Sequence, residues 1–352
     1  MLDVISEDWA VTFVGLFGGL LLGLAARLGR FCTLGAIEDW LYGGNDVRMR
    51  MWLLAIGVAI LGSFALLGTG CLNGPDTYYL SIRWMPVASI LGGLMFGYGM
   101  ALCGNCGFGA IARLGGGDLR SFVIVLVMGV STYLVLSGPL APVRDYLFPQ
   151  DPVINAVPPG IAHYIGEWTG LSVVAIGMTI GIGFVIAALV STGFRSDKSA
   201  VFWSVVVGLA IVSGWGGTQW VLANGFEAVP VVSHSFSAPV GETILFTMTG
   251  SVGGLSFAVG SVAGVWLGAF AGSLIKGHFR WEACEDPREL RRQILGAGIM
   301  GAGAVLALGC TVGQGLSAFS VLAISAPITM AAILAGAALG LRQLIVGFNP
   351  AE

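Results

Sequence analysis

Three cysteines occupy the same position of a repeated glycine-rich pattern, and they are the residues of this chain best suited to chemistry. The pattern is Gly-x-Gly, six residues and then Cys-x-x-Gly, and its clearest copies contain Cys106 and Cys310. A looser third copy contains Cys32, and a fourth copy has Val190 where the others have cysteine. A cysteine can simply be a small packing residue between membrane helices. Three thiols at one repeat position instead predict a shared chemical role.

The Cys-x-x-Gly unit predicts a thiol at the start of a helical turn, where backbone N–H groups have no partner within the helix. These N–H groups and the positive end of the helix dipole favour an anion without a fixed cation. An anion held this weakly can leave again, as permeation requires. A thiol is a weak donor and a polarizable acceptor, which suits an anion with a terminal sulfur atom. The repeats therefore predict thiols that pass along a sulfur-containing oxyanion, with thiosulfate as the first candidate.

Polar residues and glycines next to the three thiols are expected to support such a path. Arg27 and Arg30 lie just before Cys32, where they either gather the anion or extend to the membrane surface. The full set of expected supporting residues is Arg27, Arg30, Thr33, Asn105, Gly109, Thr311, Gly313 and Gln314.

Two alternatives to thiosulfate transport follow from the same residues. Cys103 and Cys106 form a Cys-x-x-Cys unit, which is also found in redox and metal sites. The first alternative is therefore a membrane thiol–disulfide oxidoreductase or sulfurtransferase. The second is a channel or transporter for an unrelated small solute, with the thiols serving only to pack helices. Without a second cysteine pair or a histidine within a span, the sequence predicts neither a metal site nor a cofactor.

The composition predicts an all-α, polytopic membrane protein. Of its 352 residues, 56% are hydrophobic and 10% are charged, whereas a soluble domain carries about 25% charged residues. The mean hydropathy is +0.89, and no basic patch is present to bind nucleic acid. A transmembrane helix needs about 20 apolar residues. This criterion predicts about nine spans, at 11–37, 51–70, 86–112, 121–141, 169–190, 200–222, 243–275, 294–323 and 327–347.

Three of these segments, 86–112, 243–275 and 294–323, are too long for one straight helix. Each is expected to contain a span and a short re-entrant half-helix, because non-helical backbone at membrane depth must line a cavity or be buried in protein. Spacings such as Gly19/Gly23 and Gly93/Gly97 predict closely packed helices.

The chain is expected to form a single integral membrane domain, residues 1–352. A proline-rich loop, 142–168, divides it into two predicted pseudo-symmetric halves, 1–150 and 160–352, with two repeat copies each. No acidic residue falls within a predicted apolar core, and neither do His163, His234 and His278. Proton pumps place such groups inside the membrane, so this absence argues against one.

The distribution of basic residues predicts the orientation of the chain. Loops 38–50, 113–120, 191–199 and 276–293 hold eleven Lys and Arg residues, whereas loops 71–85, 142–168 and 223–242 hold two. Loops rich in Lys and Arg stay in the cytoplasm. The N-terminus is therefore expected in the periplasm and the C-terminus in the cytoplasm, in a bacterial inner membrane.

The chain resembles the YeeE/YedE family of bacterial sulfur-transport membrane proteins over nearly its whole length. The motifs that carry the resemblance are 30–37 (RFCTLGAI), 105–109 (NCGFG), 279–282 (FRWE) and 309–313 (GCTVG). The resemblance implies a narrow, hourglass-shaped protein that takes up thiosulfate. It also implies that Cys32, Cys106 and Cys310 pass the anion along by S–H···S hydrogen bonds rather than by covalent transfer. A small cytoplasmic sulfur carrier of the TusA-like kind is the implied partner.

Overall fold

A computed structural model describes residues 6–149, 158–250, 254–283 and 286–346. Within these ranges the chain is helical and forms no strand, which confirms the predicted all-α class. The helices are α1 (Glu7–Leu28), α2 (Thr33–Leu41), α3 (Val47–Gly68), α4 (Tyr78–Ser81), α5 (Pro86–Cys103), α6 (Gly107–Gly115), α7 (Leu119–Leu136), α8 (Ala141–Leu147), α9 (Ile161–Thr169), α10 (Val173–Leu189), α11 (Thr192–Ser196), α12 (Lys198–Asn224), α13 (Ala238–Thr249), α14 (Phe257–Ile275), α15 (Pro287–Leu306) and α16 (Ser325–Val346). A 3₁₀ turn covers Gly74–Asp76, and a π-helical turn covers Gly313–Ala318.

Seven segments of the described chain are long and apolar enough to cross a membrane. They are Glu7–Leu41, Val47–Gly68, Pro86–Gly115, Leu119–Leu136, Lys198–Asn224, Phe257–Ile275 and Ser325–Ile345. The predicted count of about nine is not confirmed. Segment 169–190 forms a helix of only 17 residues, and segment 294–323 is divided between α15 and the π-helical turn.

The long segments break as the sequence predicts. Segment 86–112 becomes α5 and the short α6, with Gly104 between them at φ 75°. Segment 243–275 is divided between α13 and α14. Segment 11–37 also breaks, between α1 and α2, although no break was predicted there. Each break leaves a short helix attached to a longer one, so that backbone N–H groups become available inside the bundle.

Glycines bring several helices into backbone contact and confirm the predicted close packing. A methyl group added at Gly19 would lie 2.3 Å from the carbonyl oxygen of Ser261 in α14. One added at Gly93 would lie 2.9 Å from the carbonyl oxygen of Thr329 in α16. Small residues at such positions let helices approach until their backbones touch. The core formed in this way contains the thiols of Cys103, Cys106 and Cys310.

The predicted hinge, loop 142–168, contains α8 and α9 and is therefore partly helical. Residues 150–157, which include Pro152, lie outside the described residues, as does Cys284. The two pseudo-symmetric halves stay a prediction.

Candidate functional site

Each repeat cysteine lies at the start of a short helix. Cys32 is the N-cap residue of α2, and Cys106 is the N-cap residue of α6. Cys310 directly precedes the helical segment that begins at Thr311 and continues as the π-helical turn. The residue two positions before each cysteine adopts a left-handed conformation; these residues are Arg30 (φ 56°), Gly104 (φ 75°) and Leu308 (φ 56°). For Arg30 and Leu308 this conformation costs about 1–2 kcal/mol, so the surrounding structure must enforce these turns.

Backbone N–H groups hold two of the sulfur atoms. The Gly109 N–H donates to Cys106 Sγ at 3.4 Å. The N–H groups of Gly313 and Phe236 donate to Cys310 Sγ at 3.4 Å and 3.2 Å. Because these sulfur atoms act as acceptors, each thiol keeps its own proton for another acceptor. Gly109 and Gly313 thus contribute through their backbones, whereas Cys32 makes no such capping bond.

The structure brings the three repeat thiols together. Cys106 lies close to both Cys32 and Cys310. Cys106 and Cys310 are fully buried, whereas Cys32 is half-buried and lines a cavity. Three N-cap thiols thus form a connected group that runs from a cavity into the core.

Next to each thiol lies a buried polar atom without a hydrogen-bond partner. These atoms are Thr33 Oγ1, Asn105 Oδ1 and Thr311 Oγ1. The Thr311 hydroxyl faces the Cys106 thiol, but the pair does not reach the geometry of a hydrogen bond. Buried polar atoms normally find partners, and an unsatisfied one calls for an explanation. A polar ligand passing between the thiols would supply that partner.

A cavity of about 410 Å³ opens beside Cys32, and we call it the basic cavity. Its cationic lining residues are Arg27, Arg30, Arg48, Arg113 and Lys276. Arg27 Nε donates to Ser273 Oγ at 2.7 Å, and Lys276 Nζ donates to the Arg27 carbonyl oxygen at 2.8 Å. Desolvation lowers the pKa of Lys276, and the nearby Arg30 and Arg27 charges lower it further. Lys276, Arg27 and Arg30 are therefore close enough to repel one another, which favours an anion beside them.

The sequence did not indicate three of these cations as members of the site. These are Arg48, Arg113 and Lys276, which belong to separate loops or helix ends. In the sequence they indicate only the orientation of the chain in the membrane. Arg48 is partly neutralised by Asp39, whose carboxylate lies 3.3 Å away. Arg27 and Arg30, which were expected near the thiols, do line the basic cavity with Cys32.

A second cavity, also of about 410 Å³, lies beyond Cys310, and we call it the hydroxyl cavity. Among the described residues that line it are the hydroxyl residues Tyr79, Ser233, Ser235 and Ser237, three carboxylates, and no lysine, arginine or histidine. Ser235 Oγ lies 3.7 Å from Cys310 Sγ. Burial raises the pKa of Tyr79 well above its ordinary value, and the nearby Cys310 raises it further, so the phenol stays a proton donor. None of these residues belongs to a repeat, so the sequence offered no signal for them.

Gln314 was expected beside the path, and the structure places its amide on the turn that precedes Cys310. Gln314 Nε2 donates to the carbonyl oxygens of Ala307 and Leu308 at 2.8 Å and 3.2 Å. Its Oε1 accepts from Ser325 Oγ at 3.3 Å. The amide thereby holds the left-handed turn at Leu308, which in turn sets the position of Cys310.

Replacing Gln314 by leucine should therefore loosen this turn. Leucine leaves two carbonyl oxygens and the Ser325 hydroxyl without this partner, and each buried group left unsatisfied costs about 1–3 kcal/mol. We expect a lower thermal unfolding midpoint in detergent and faster modification of Cys310 by a thiol reagent. Gln219→Leu is the matched control, because the bond from the Asn73 N–H to Gln219 is exposed. Equal unfolding midpoints and equal Cys310 modification rates in the two variants would show that Gln314 does not hold this turn.

One expectation about histidine is wrong. His234 was placed outside the apolar core, but the structure buries it completely between α1 and α14. Its Nδ1 lies 2.7 Å from Ser261 Oγ, and its Nε2 faces Gly18 without a hydrogen-bond partner. The reason is that the polar segment before α13 folds back into the bundle, which no local pattern indicates.

Cys103 and Cys106 have separate partners in the structure. The Cys103 thiol donates to the Gln293 carbonyl oxygen in α15 at 3.3 Å, and both cysteines are buried. The described cysteines are all free thiols, and no group of three or more His, Cys, Asp or Glu among the described residues could hold a metal ion. Thiol exchange requires an accessible thiolate, so this geometry does not favour the oxidoreductase alternative.

Comparisons with known proteins find a matching family and similar relatives. A family model described as "Sulphur transport" matches residues 28–339. The thiosulfate transporter TsuA of Escherichia coli (strain K12) is 27% identical over 329 residues, which cover 86% of each chain. The thiosulfate transporter TsuA of Spirochaeta thermophila is 26% identical over 319 residues, 89% of this chain and 93% of that protein.

Proposed function

Since this chain belongs to the sulphur-transport family, we propose that it takes up thiosulfate, or a related sulfur-containing anion, along Cys310, Cys106 and Cys32. The chain is a multi-pass membrane protein of a transport family, and its relatives are named transporters rather than enzymes. The substrate and the thiol path are the parts that we add. They rest on one observation above all: three N-cap thiols lie in a group between two cavities.

The two cavities suit successive steps of anion movement. In the hydroxyl cavity, Tyr79 and Ser235 present hydroxyl donors beside Cys310 and can replace water around the oxygen atoms of the anion. The thiol protons, together with the unpartnered hydroxyl of Thr311, then offer weak donors inside the core. Weak sites in series let an ion both bind and leave. The cations of the basic cavity attract the anion to the end of the path.

The proposal includes an orientation of the chain in the membrane. The basic cavity faces the cytoplasm and the hydroxyl cavity faces the periplasm, because loops rich in Lys and Arg remain in the cytoplasm. An inner-membrane protein oriented in this way moves the anion inward. A TusA-like sulfur carrier would then receive it at the mouth of the basic cavity.

The proposal includes two related halves, 1–150 and 160–352. In its support, contacts between helices recur when the halves are exchanged. Helix α1 packs on α12 as α10 packs on α3, and α5 packs on α16 as α15 packs on α7. Helices α13 and α14 have no counterpart in this scheme.

Uptake of radiolabelled thiosulfate into proteoliposomes containing the purified protein tests the function. We expect saturable uptake that unlabelled thiosulfate suppresses and that sulfate, which lacks the terminal sulfur, suppresses about tenfold less effectively. Protein-free liposomes are the control. Absence of uptake would overturn thiosulfate as the substrate. A disulfide or persulfide on Cys106 during turnover would instead support the oxidoreductase alternative.

A further inference from the structure

The two cavities do not meet in this structure. They share no lining residue. The residues between them include Cys106, Cys310, Phe108 and Phe236, each exposed by no more than 1%. The proposed path is therefore closed, and a bulky group must move before an anion can pass from Cys310 to Cys106.

Phe236 connects the two half-helices that carry these thiols. Its ring packs on Phe108, the second residue of α6, with ring centroids 5.3 Å apart and planes tilted by 39°. Its N–H donates to Cys310 Sγ at 3.2 Å. Its carbonyl oxygen lies so close to α6 that a methyl group added at Gly107 would be 3.0 Å from it. One residue thus contacts the Cys106 helix through its ring and carbonyl group and contacts Cys310 through its N–H.

The segment around Phe236 is held firmly two residues earlier, at His234. The carbonyl oxygen of His234 accepts from Ser317 Oγ at 2.6 Å, and the His234 ring stacks on Phe236 with planes 12° apart. The His234 ring also packs on Phe257, with centroids 4.9 Å apart. At Phe236 itself, the bond to Cys310 uses a sulfur acceptor, which is weaker than a carbonyl oxygen. His234 therefore holds the segment in place. The hydrogen bond that breaks most easily is the one from the Phe236 N–H to Cys310 Sγ.

We propose that Phe236 and Phe108 form an aromatic latch that closes the path between Cys310 and Cys106. The latch rests on the proposed thiol path and adds the residues that control it. An oxyanion arriving beside Ser235 is a better acceptor than the Cys310 sulfur for the Phe236 N–H. Binding of the anion thus competes with the contact that holds the latch closed, so that the path opens when substrate is present.

Chemical modification of Cys106 tests the latch. The native protein and its variants are purified in detergent and treated with the anionic reagent 2-sulfonatoethyl methanethiosulfonate, and modification of Cys106 is followed by peptide mass spectrometry. We expect Phe236→Ala to speed the modification at least tenfold, because the ring no longer covers the route from Cys310. Phe108→Ala should have the same effect from the other side of the pair. Neither Phe236 nor Phe108 lines the basic cavity, so we expect access through that cavity to be similar in all variants.

Phe184→Ala is the matched control, because Phe184 forms a similar pair with Phe319 at 6.0 Å that does not include a thiol contact. Size-exclusion chromatography establishes that each variant is folded, and Phe236→Leu replaces Phe236→Ala if the latter does not fold. Unchanged Cys106 modification in the folded Phe236 and Phe108 variants would overturn the latch. Failure of the native protein to take up thiosulfate would overturn the proposed function instead, so the two results are distinguishable.

Discussion

Replacing Cys106 or Cys310 by alanine should reduce thiosulfate uptake into proteoliposomes at least tenfold. Both thiols are fully buried at the closed centre of the proposed path. A methyl group can neither donate to the anion nor accept the N–H groups that point at these positions, so the anion loses a binding group where it has no water. A tenfold loss corresponds to about 1.4 kcal/mol in the barrier, a modest amount for a buried hydrogen bond to a charged ligand.

The controls for this prediction come from the same chain. Cys71 is exposed and lies outside the repeats, so Cys71→Ala should retain native uptake. Cys310→Ser keeps a small hydroxyl donor and should retain more uptake than Cys310→Ala. Cys32→Ala should have a smaller effect than Cys106→Ala, because Cys32 borders the basic cavity, where cations also hold the anion. Native uptake by a variant that lacks all three repeat cysteines would indicate that the thiols only pack helices.

Replacing Gly99 by valine should prevent the protein from folding, as judged by loss of the monodisperse peak in size-exclusion chromatography. A methyl group added at Gly99 would lie 2.5 Å from the carbonyl oxygen of Gly296 and 2.7 Å from the backbone nitrogen of Met300. Both contacts are with the backbone of α15, so rotation of a side chain cannot relieve them. Overpacking of a core costs about 1–3 kcal/mol or more, and here α5 and α15 would have to separate.

Gly183 provides the matched control, because it occupies the position of Gly99 in the fourth copy of the repeat. A methyl group added at Gly183 meets nothing within 4 Å, and the residue is exposed. Gly183→Val should therefore give a normal yield and elution profile. Equal yields of the Gly99 and Gly183 variants would contradict the packing argument.

Gly99 and Gly183 also show that the repeat pattern has a role in helix packing as well as in placing a thiol. In the copies with Cys106 and Cys310, the second glycine of each Gly-x-Gly unit, Gly99 or Gly303, lets α5 and α15 approach each other. These helices run antiparallel: Gly92 lies against Gly303, and Gly99 lies against Gly296. The close contact places the two half-helices, and therefore their thiols, on either side of one interface. In the fourth copy, which has Val190 in place of the thiol, Gly183 packs against nothing.

The sequence by itself determined the class of the protein and the identity of its main candidate residues. Hydropathy predicts helices that cross a membrane, because only segments with internally satisfied backbone groups are stable in lipid. The repeats single out Cys32, Cys106 and Cys310, and the Cys-x-x-Gly spacing predicts their place at helix N-termini. These properties are local, since each is carried by one continuous segment of the chain.

Only the tertiary structure decided what surrounds the thiols. Tyr79 and Ser235 come from connecting segments without a repeat, and they reach Cys310 from positions far away in the chain. Phe236 and Phe108 belong to different segments as well, so their pairing could not be predicted from either segment alone. The burial of His234 has the same origin. Such contacts depend on how helices pack and where connecting segments fold back between them, whereas sequence periodicity reports only which face of a segment is apolar.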